Sequence, residues 1–388
     1  MNIKKLIFVG FALFVSCRRS TFNPGNNPPG PEYDPRNISR TDSTQSYGPW
    51  IAIGYDGSVY VAWMDGGRTR YDPSRTYFRY KPPGEDWRDI EILSDSLHDA
   101  WAPHIVVDPF DNVHLVWEAN TIGQNDVKIY YRMRTPTGEW TRTVILSGEY
   151  QADQPRLAVD SLGIVHLTYC EGFGIKYRRR NINGVWSNVE SAPVGRQGAV
   201  NPDLRVDRYG GVHLVYEAGN DLKYLYRSPA GEWSEAVNVT HSQYESWYGY
   251  IFLDEEDHPW IFWTEQDYRA EWNTGIIYYT HLENGSWTEP DTIPGTVGWP
   301  RHKYVAFHNG ELLLAWVDGR SSLNIPVQYI IRRDGRWGTV NEMDFPLWAW
   351  TLSGAMGPEG GVHLVWESII QKDETHYQYD IFYDTIEF

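Results

Sequence analysis

The stretch RLAVDSLGIVHLTYCEGFGIKYRRRNINGVW, residues 156–186, contains the strand and turn pattern from which the fold can be predicted. It contains a short apolar strand, a turn with Asp and Gly, and a second apolar strand that ends in an aromatic residue. A strand with tyrosine and a turn with Gly and Trp follow. Each apolar run is about five residues long, the ordinary length of a β-strand, and no helical period runs through the stretch. The stretch is therefore one unit of short strands joined by turns.

The second strand of this unit recurs along the whole chain. Its seven copies end at Trp63, Trp117, Tyr169, Tyr216, Trp263, Trp316 and Trp366, at steps of 54, 52, 47, 47, 53 and 50 residues. Four short strands in a repeat of this length are typical of a β-propeller blade. We predict an all-β fold, a seven-bladed β-propeller of four-stranded antiparallel blades. The last copy leaves room for one more strand, near 377–386, so an N-terminal strand at 36–42 should complete the last blade and close the ring.

Composition and charge exclude several classes of protein. The 388 residues include 34 Lys and Arg against 51 Asp and Glu, a net charge of −17, which argues against nucleic acid as a partner. Two cysteines cannot build a disulfide framework, and the single long apolar run is too short to span a bilayer. No spacing matches a calcium loop. We expect a monomer with no metal and no cofactor.

The N-terminus MNIKKLIFVGFALFVSC has the pattern of a secretory signal: Lys4 and Lys5, then an apolar run from Leu6 to Val15. Its last four residues resemble a bacterial lipobox, which implies acylation of Cys17. We therefore predict a lipoprotein signal peptide at 1–16, a Pro-rich disordered tether at 17–35 and the propeller at 36–388. The expected location is the bacterial cell envelope, as a membrane-anchored lipoprotein of the outer membrane, periplasmic or surface-facing.

The turns before the fourth strands carry a family resemblance. TGEW (137–140), AGEW (230–233), NGSW (284–287) and DGRW (334–337) resemble the Asp-boxes of BNR, or sialidase-like, propellers. The resemblance implies the propeller fold. The Phe/Tyr-Arg-Ile-Pro motif that opens catalytic sialidases is absent, so the resemblance carries no catalytic residue over to this chain.

Residues that recur in most repeats are expected to be scaffold. Four histidines share one second-strand position, which favours a hydrogen bond from blade to blade over a metal site: His114, His166, His213 and His363. An acid follows each second-strand aromatic within two residues: Asp65, Glu118, Glu171, Glu217, Glu265, Asp318 and Glu367. These acids either pair with third-strand arginines such as Arg132, Arg178 and Arg227, or form a ring of acceptors for sugar hydroxyls, a cation or a basic partner.

Residues that break the repeat are the candidates for function. Seven tryptophans outside the scaffold positions should collect on one face: Trp50, Trp101, Trp247, Trp272, Trp299, Trp348 and Trp350. They would stack against sugar rings or grip a partner, or else fold inward and plug the central channel. At the start of the first strands, one equivalent position carries Trp50, His104, Arg156, Asp203, Tyr250, Lys303 and Ser353, with Arg301 nearby. Such diversity indicates a ligand site, or else unconstrained surface.

Three hypotheses about function follow. The first is a lipid-anchored module that binds carbohydrate through Trp50, Trp101, His104, Arg156, Asp203, Trp247, Tyr250, Trp299, Arg301 and Lys303. The second is a polysaccharide-degrading enzyme. A glycosidase would draw its carboxylates from Asp153, Asp203 and Glu245, and a lyase would use His104, Tyr250, Arg156 or Lys303. The third is a subunit of an envelope complex whose partner is a protein.

Overall fold

The computed structural model describes residues 34–40, 44–66, 73–195, 198–242, 244–267, 274–296, 298–318, 326–344, 349–371 and 377–387. Within these ranges the chain forms 29 β-strands in seven antiparallel sheets. The described part contains no helix long and apolar enough to cross a membrane. Cys17 and the predicted signal peptide lie outside the described residues, as do Trp272 and Trp348.

The first four sheets have four strands each. Blade 1 comprises β1 Gln45–Ile53, β2 Val59–Gly66, β3 Arg75–Lys81 and β4 Glu91–Ile92. Blade 2 comprises β5 His98–Val107, β6 Val113–Thr121, β7 Lys128–Arg134 and β8 Val144–Ile145. Blade 3 comprises β9 Ala152–Val159, β10 Val165–Glu171, β11 Gly174–Arg180 and β12 Glu190–Ser191. Blade 4 comprises β13 Val200–Val206, β14 Val212–Ala218, β15 Asp221–Arg227 and β16 Val237–Asn238.

The last three sheets vary the pattern. Blade 5 comprises β17 Glu245–Leu253, β18 Pro259–Asp267, β19 Thr274–Glu283, β20 Ser286–Trp287 and β21 Asp291–Thr292. Blade 6 comprises β22 Pro300–His308, β23 Glu311–Asp318, β24 Gln328–Arg333, β25 Arg336–Trp337 and β26 Asn341–Glu342. Blade 7 comprises β27 Ala349–Met356, β28 Val362–Gln371 and β29 Tyr377–Ile386. The predicted seven-bladed propeller is confirmed.

Strand direction alternates within each blade, so the turns divide between two faces of the disc. We call the upper face the one that carries the connections from fourth to first strands and from second to third strands, such as 93–97 and 122–127. The lower face carries the turns from first to second and from third to fourth strands, such as 54–58 and 82–86. Second strands lie inside each sheet, and their final aromatics are fully buried, as predicted for scaffold.

Tryptophans of the Gly-Trp turns join neighbouring blades. Each packs edge-on against a third-strand aromatic of the preceding blade, with ring centroids 5.0 to 5.8 Å apart. The pairs are Phe78–Trp140, Tyr131–Trp186, Tyr177–Trp233, Tyr224–Trp287, Tyr279–Trp337 and Tyr383–Trp87. The last pair links blade 7 to blade 1, so the two ends of the repeat array pack against each other.

The segment before blade 1 lies beside the last strand, β29. The Ile38 N–H donates to the carbonyl of Ile381 at 2.8 Å, and the Tyr383 N–H donates to the carbonyl of Arg36 at 2.9 Å. The same type of bond attaches the fourth strand of other blades, for example Leu146 N–H to Ile129. Strand pairing here amounts to one isolated bridge, between Asn37 and Phe382. Closure by a full N-terminal strand stays a prediction.

The four repeated histidines bond within their own blades and not between blades, which corrects our expectation. In blade 2, Nδ1 of His114 lies 2.8 Å from the Tyr131 hydroxyl, and Nε2 lies 3.0 Å from the Asp108 carboxylate. His166, His213 and His363 contact Tyr177, Tyr224 and Tyr383 in the same way. Among the described residues, no cluster of His, Cys, Asp and Glu has a metal-binding arrangement.

The third-strand arginines bind main chain or another acid, so their predicted pairing with the second-strand acids is wrong. Arg132 donates to the carbonyls of Thr141 and Leu93, at 3.0 and 3.3 Å. Arg178 likewise donates to main-chain carbonyls, and Arg227 pairs with Glu190 at 2.9 Å. Because the Leu93 carbonyl belongs to blade 1, Arg132 fastens blade 2 to its neighbour.

Candidate functional site

The seven first strands contact one another around the central axis, and each contains a β-bulge. In five blades a residue of the bulge has a left-handed backbone: Gly48, Ala102, Gln154, Asn201 and Tyr248, with φ between 47° and 57°. Four of these are not glycine, so each stores about 1 kcal/mol or more of strain. Bulges re-aim side chains next to binding sites. We call the upper end of the channel, around these bulges, the upper mouth.

On one side of the upper mouth, three residues from successive blades form a stack. The rings of Trp50 and His104 lie 4.1 Å apart between centroids, and the guanidinium of Arg156 lies 5.0 Å from the Trp50 ring. His104 is buried, and burial with repulsion from Arg156 holds the pKa of His104 well below its ordinary value. Nδ1 of this neutral ring accepts the Leu157 N–H at 3.3 Å, so Nε2 carries the proton.

Arg156 has unused donors toward the channel. Its Nη1 donates to the carbonyl of Pro155 at 2.9 Å, and no ion pair within 4 Å involves Arg156 in the described part of the chain. The side chain is half-buried: protein surrounds it, but solvent reaches it. A guanidinium carries five N–H donors. Arg156 can therefore bind a carboxylate or another anion that enters the mouth.

Beside this stack, in the next two blades, Asp203 and Tyr250 meet around Arg205, a residue that the repeat comparison missed, and both Asp203 and Arg205 act electrostatically on Arg156. Nη1 of Arg205 lies 3.1 Å from Asp203, and its guanidinium lies 4.9 Å from the Tyr250 ring. The second oxygen of Asp203 accepts the Ile251 N–H at 3.0 Å. Both carboxylate oxygens of Asp203 are therefore occupied. Arg205 could have been identified from its place two residues after Asp203, on the same side of the strand.

Lys303 is one residue out of the predicted register. In blade 6 the strand pairing puts Tyr304, and not Lys303, at the position of Trp50 and His104. The buried Nζ of Lys303 lies 3.4 Å from each of three main-chain carbonyls, those of Tyr248, Pro300 and Arg301. Burial lowers the pKa of Lys303 to about 7, and nearby Glu217 partly offsets this effect. Lys303 therefore holds the bulges of blades 5 and 6 together.

Arg301 and Trp299 form a pair at the edge of the mouth. The guanidinium lies 4.0 Å from the indole centroid, and Nε of Arg301 is buried without a hydrogen-bond partner. Next to them, burial lowers the pKa of His302 to about 3, with further repulsion from Arg301, Lys303 and Arg156. His302 is therefore neutral at physiological pH, and the positive charge of this region resides on the arginines.

Five of the tryptophans outside the scaffold positions lie in the described part of the chain, and all five are half-buried and not fully exposed: Trp50, Trp101, Trp247, Trp299 and Trp350. Trp101 donates its indole N–H to Glu118, and Trp247 donates to Glu245 at 3.2 Å. The faces of Trp50 and Trp299 are covered by His104 and Arg301. An open tryptophan face for stacking is therefore wrong for Trp50 and Trp299, where the inward-folding alternative fits better.

The predicted ring of second-strand acids divides into two sets. Those one residue after the aromatic reach the next blade: Glu118 accepts the Gln154 N–H at 2.7 Å and Glu217 accepts the Tyr248 N–H at 2.8 Å. Those two residues after it stay in their own blade, as Asp65 does with Ser46 at 2.7 Å. Burial raises the pKa of Glu118 to about 8 and that of Glu217 to about 7. Glu118, Glu217 and Asp65 serve the protein's own N–H and O–H groups, so an open acceptor is wrong for these three, whereas Oε1 of Glu171 is buried with no hydrogen-bond partner among the described residues.

Two exposed aromatics on the upper face of blade 3 were missed in the sequence. Tyr150 is 72% exposed and Phe173 is 91% exposed. Their loops are joined by a bond from the Gly172 N–H to the Gln151 carbonyl at 3.3 Å. Lys128 donates to three carbonyls of the Tyr150 loop, at 2.7, 2.8 and 3.1 Å, which fixes its shape. Both residues lie in connections of variable length, where the repeat gave no reason to select them.

No family model matches the chain, and no curated protein matches it. Among solved structures, a protein of unknown function from Dyadobacter fermentans aligns over 89% of this chain and 96% of its own, at 12% identity and a TM-score of 0.56. The NanB sialidase from Streptococcus pneumoniae aligns over 90% and 69%, at 12% identity and a TM-score of 0.52. The leech intramolecular trans-sialidase aligns over 94% and 70%, at 10% identity and a TM-score of 0.50.

The fold is that of the sialidase-like propellers. At these identities the likeness concerns the fold alone, so chemistry has to be argued from this chain's own side chains. The three carboxylates predicted as candidates for a glycosidase differ in their hydrogen bonds and in their surroundings. Asp203 is engaged by Arg205 and Ile251, and Glu245 accepts the indole N–H of Trp247. Asp153 is exposed, yet the surrounding mouth partly desolvates its carboxyl and raises its pKa to about 6.

Proposed function

We propose that the protein is a lipid-anchored, exported module that binds a carbohydrate carrying acidic groups at the upper mouth. The observation that carries the proposal is Arg156, a half-buried guanidinium in the channel with one hydrogen bond and no ion pair among the described residues. An arginine held in this way, with most donors unused, is suited to a carboxylate or sulfate.

The charge of the mouth supports an acidic ligand. In a chain with a net charge of −17, three arginines approach the upper mouth: Arg156, Arg205 and Arg301. Asp203 neutralises one of them. The nearby Glu118 has a pKa raised to about 8 by burial, so it is largely uncharged at neutral pH. These guanidinium groups attract an anion at short range, whereas Asp153, with a pKa of about 6, and the acidic rest of the chain repel it, so the ligand's acidic groups would bind at the arginines themselves.

The exposed aromatics of blade 3 support a sugar as the remainder of the ligand. Tyr150 and Phe173 present apolar ring surface to solvent on loops fixed by Lys128 and Gly172. Flat apolar side chains on a rigid support bind the apolar face of a sugar ring at low entropic cost. A polysaccharide with uronate or sulfate groups would place one group on Arg156 and neighbouring rings on these aromatics.

The state of the acids favours binding over hydrolysis. A glycosidase needs two opposed carboxylates, one of them free to attack or to activate water. Both oxygens of Asp203 are bonded, and His104 has its Nδ1 occupied by Leu157. Asp153 supports the second candidate function, a polysaccharide-degrading enzyme, because a raised pKa of about 6 suits a general acid.

A panel of acidic and neutral polysaccharides tests the proposal. The full chain should be retarded in gels that contain acidic polymers and should run freely in gels with neutral ones. New reducing ends, or absorbance from new double bonds, would reassign the protein as an enzyme. Retention of none of the polymers, with an envelope protein co-purifying from detergent extract, would favour an interaction subunit instead.

The envelope location rests on the sequence, through the signal at 1–16 and the lipobox-like cysteine. Mass spectrometry of the purified N-terminal peptide tests it: acylated Cys17 at the N-terminus is expected. A mature chain that begins elsewhere, or an unmodified Cys17, would contradict the anchor while leaving carbohydrate binding open.

A further inference from the structure

The lower face exposes apolar side chains at one turn position in successive blades. Phe110, Leu162 and Tyr209 each stand two residues after the aspartate that opens the turn between first and second strands. In the equivalent turn of blade 1, the exposed residue is Tyr55, which stands one residue after the first residue of the turn and not two. The four residues are 60% to 75% exposed. We call them the lower arc. Apolar side chains exposed at the same place in neighbouring repeats indicate a contact surface.

Hydrogen bonds hold the lower arc in its outward position. The N–H groups of Phe110, Leu162 and Tyr209 donate to the preceding turn aspartates at 2.8 to 2.9 Å. The Tyr55 N–H donates to Asp111 of blade 2 at 2.7 Å. A Cβ at Gly163 would lie 2.7 Å from Phe110, so Phe110 rests on the turn of blade 3. Contacts between neighbouring turns therefore fix the arc from blade 1 to blade 3, and the turn aspartates fix its backbone in blades 2 to 4.

The arc is confined to one half of the disc. At the position of Phe110 and Tyr209, blade 5 has Glu256 and blade 7 has Glu359, both exposed. At this turn position, blades 2 to 4 therefore carry an apolar side chain, and blades 5 and 7 carry an acidic one. The acidic side chains repel anionic lipid headgroups and leave neutral headgroups as the favourable surface.

The chain enters the fold on the lower face, at the outer edge of blade 7 next to blade 1. Residues 36–38 run antiparallel to β29, with Arg36 bonded to Tyr383 and Ile38 to Ile381. Because β29 ends on the lower face, Asp34 lies at that end of the segment. Arg79 of blade 1 donates to the Ile38 carbonyl at 2.6 Å, which puts this point at the junction of blades 7 and 1. Only sixteen residues separate Asp34 from Cys17.

We propose that the lower arc rests on the headgroup region of a membrane of neutral lipids, the membrane that holds the acyl chain of Cys17. This inference rests on the lipid anchor of the proposed function. The lipid anchor holds the domain at the membrane, and the apolar side chains of the lower arc add a contact that orients it. Tyrosine and phenylalanine suit the interface, where an apolar body meets a polar layer. In this orientation the upper mouth faces away from the membrane, toward polymer in solution.

Fluorescent labels on the two faces test the orientation in the full, acylated chain. Leu162→Cys puts a label on the lower arc, and Leu97→Cys is its matched control on the upper face. Both leucines are almost equally exposed, at 67% and 69%, and each donates its N–H to an aspartate two residues earlier at 2.9 Å. Cys170 is buried and stays unlabelled. The chains are reconstituted in phosphatidylcholine vesicles with a quencher in the headgroup layer.

Quenching of the label at 162 by about twofold or more, with the label at 97 unaffected, supports the proposal. Equal quenching at both positions, quenching at 97 alone, or none at either position overturns it. In a second variant, Phe110, Leu162 and Tyr209 are all changed to Ser, and a label at Tyr55→Cys should lose its quenching. If the chain does not float with the vesicles, the proposed lipid anchor is wrong, and so is the membrane contact that depends on it. Carbohydrate binding at the upper mouth is then tested independently, by the retention of the chain in polysaccharide gels.

Discussion

The carboxylate of Glu118 in blade 2 accepts the main-chain N–H of Gln154 in blade 3 at 2.7 Å. The same link joins Glu217 to Tyr248 and Glu367 to Gly48. Each acid thus ties its blade to the bulge of the next one. The bulges would otherwise expose unpaired N–H groups in a confined channel, so these links keep the upper mouth in one shape.

The acid links predict a fall in stability as the pH rises. Burial raises the pKa of Glu367 from about 4.5 in the unfolded chain to about 7 in the folded one. Because the folded state binds this proton more tightly than the unfolded chain does, the contribution of Glu367 to the free energy of unfolding is fully present below pH 4.5. This contribution is lost as the pH rises through 7. Between low and high pH, the free energy of unfolding of Glu367→Gln should fall by about 3 kcal/mol less than that of the wild type.

Urea unfolding between pH 4.5 and pH 8 measures this effect. Glu367→Gln keeps an oxygen for Gly48 and Thr351 but cannot ionise. The exposed Glu359→Gln is the control and should follow the wild type. Parallel stability curves for wild type and Glu367→Gln would show that burial of this carboxyl has no such consequence.

Arg156→Ala should weaken binding of acidic polysaccharide about 10- to 100-fold, since a charge-assisted hydrogen bond is lost, with little change in melting temperature. Arg178→Ala is the control variant, for which we expect the opposite pair of results. Arg178 donates to the carbonyls of Ser187 and Leu146 at 2.9 and 2.8 Å, so its loss should lower the melting temperature and leave binding intact. Affinity electrophoresis and thermal melts of both variants separate the two roles. Equal effects of the two substitutions on binding would contradict the assignment.

Tyr150→Ala and Phe173→Ala should each weaken carbohydrate binding several-fold without loss of stability, because both side chains project into solvent. Tyr209→Ala removes an equally exposed ring from the opposite face and should bind as the wild type does. Isothermal titration with a defined oligosaccharide provides the affinities. If Tyr209→Ala binds as poorly as Phe173→Ala, the ligand does not occupy the upper face of blade 3.

His114→Ala should destabilise the fold by about 3 kcal/mol, because it opens a buried cavity, leaves the Tyr131 hydroxyl without its partner and removes one of the hydrogen bonds of Asp108. Tyr131→Phe removes only one of the two bonds and should cost about 1 kcal/mol. Chemical unfolding of the two variants measures the difference. A neutral effect of His114→Ala would show that the repeated histidine does not stabilise its blade.

The number and order of the blades could be predicted because every repeat buries its second strand completely. That environment forces an apolar run with a terminal aromatic, as at Trp63 and Trp366, and the run is visible in the sequence. The partners of the repeated polar residues could not be predicted. The spacing of His114 is the same whether its ring bonds within its own blade or to the next one, and only the folded structure identifies Tyr131 as its partner.

The site was only partly predictable. Trp50, His104 and Arg156 occupy the same position in successive repeats, and they lie in contact as that position predicts. The turn between β22 and β23 has two residues, between His308 and Glu311, where the equivalent turn between Val107 and Val113 has five, and this shorter turn moves Lys303 by one residue. Tyr150 and Phe173 lie in connections that differ in every repeat, so comparison of repeats could not select them. Their exposure is a property of the folded loops.

Titration of the full chain with one acidic polysaccharide and with its carboxyl-reduced form measures the role of Arg156 at the upper mouth. We expect that the wild type binds the acidic polymer, that carboxyl reduction weakens binding, and that Arg156→Ala binds both polymers equally weakly. Undiminished binding of the acidic polymer by Arg156→Ala would contradict the claim that the upper mouth is the carbohydrate site.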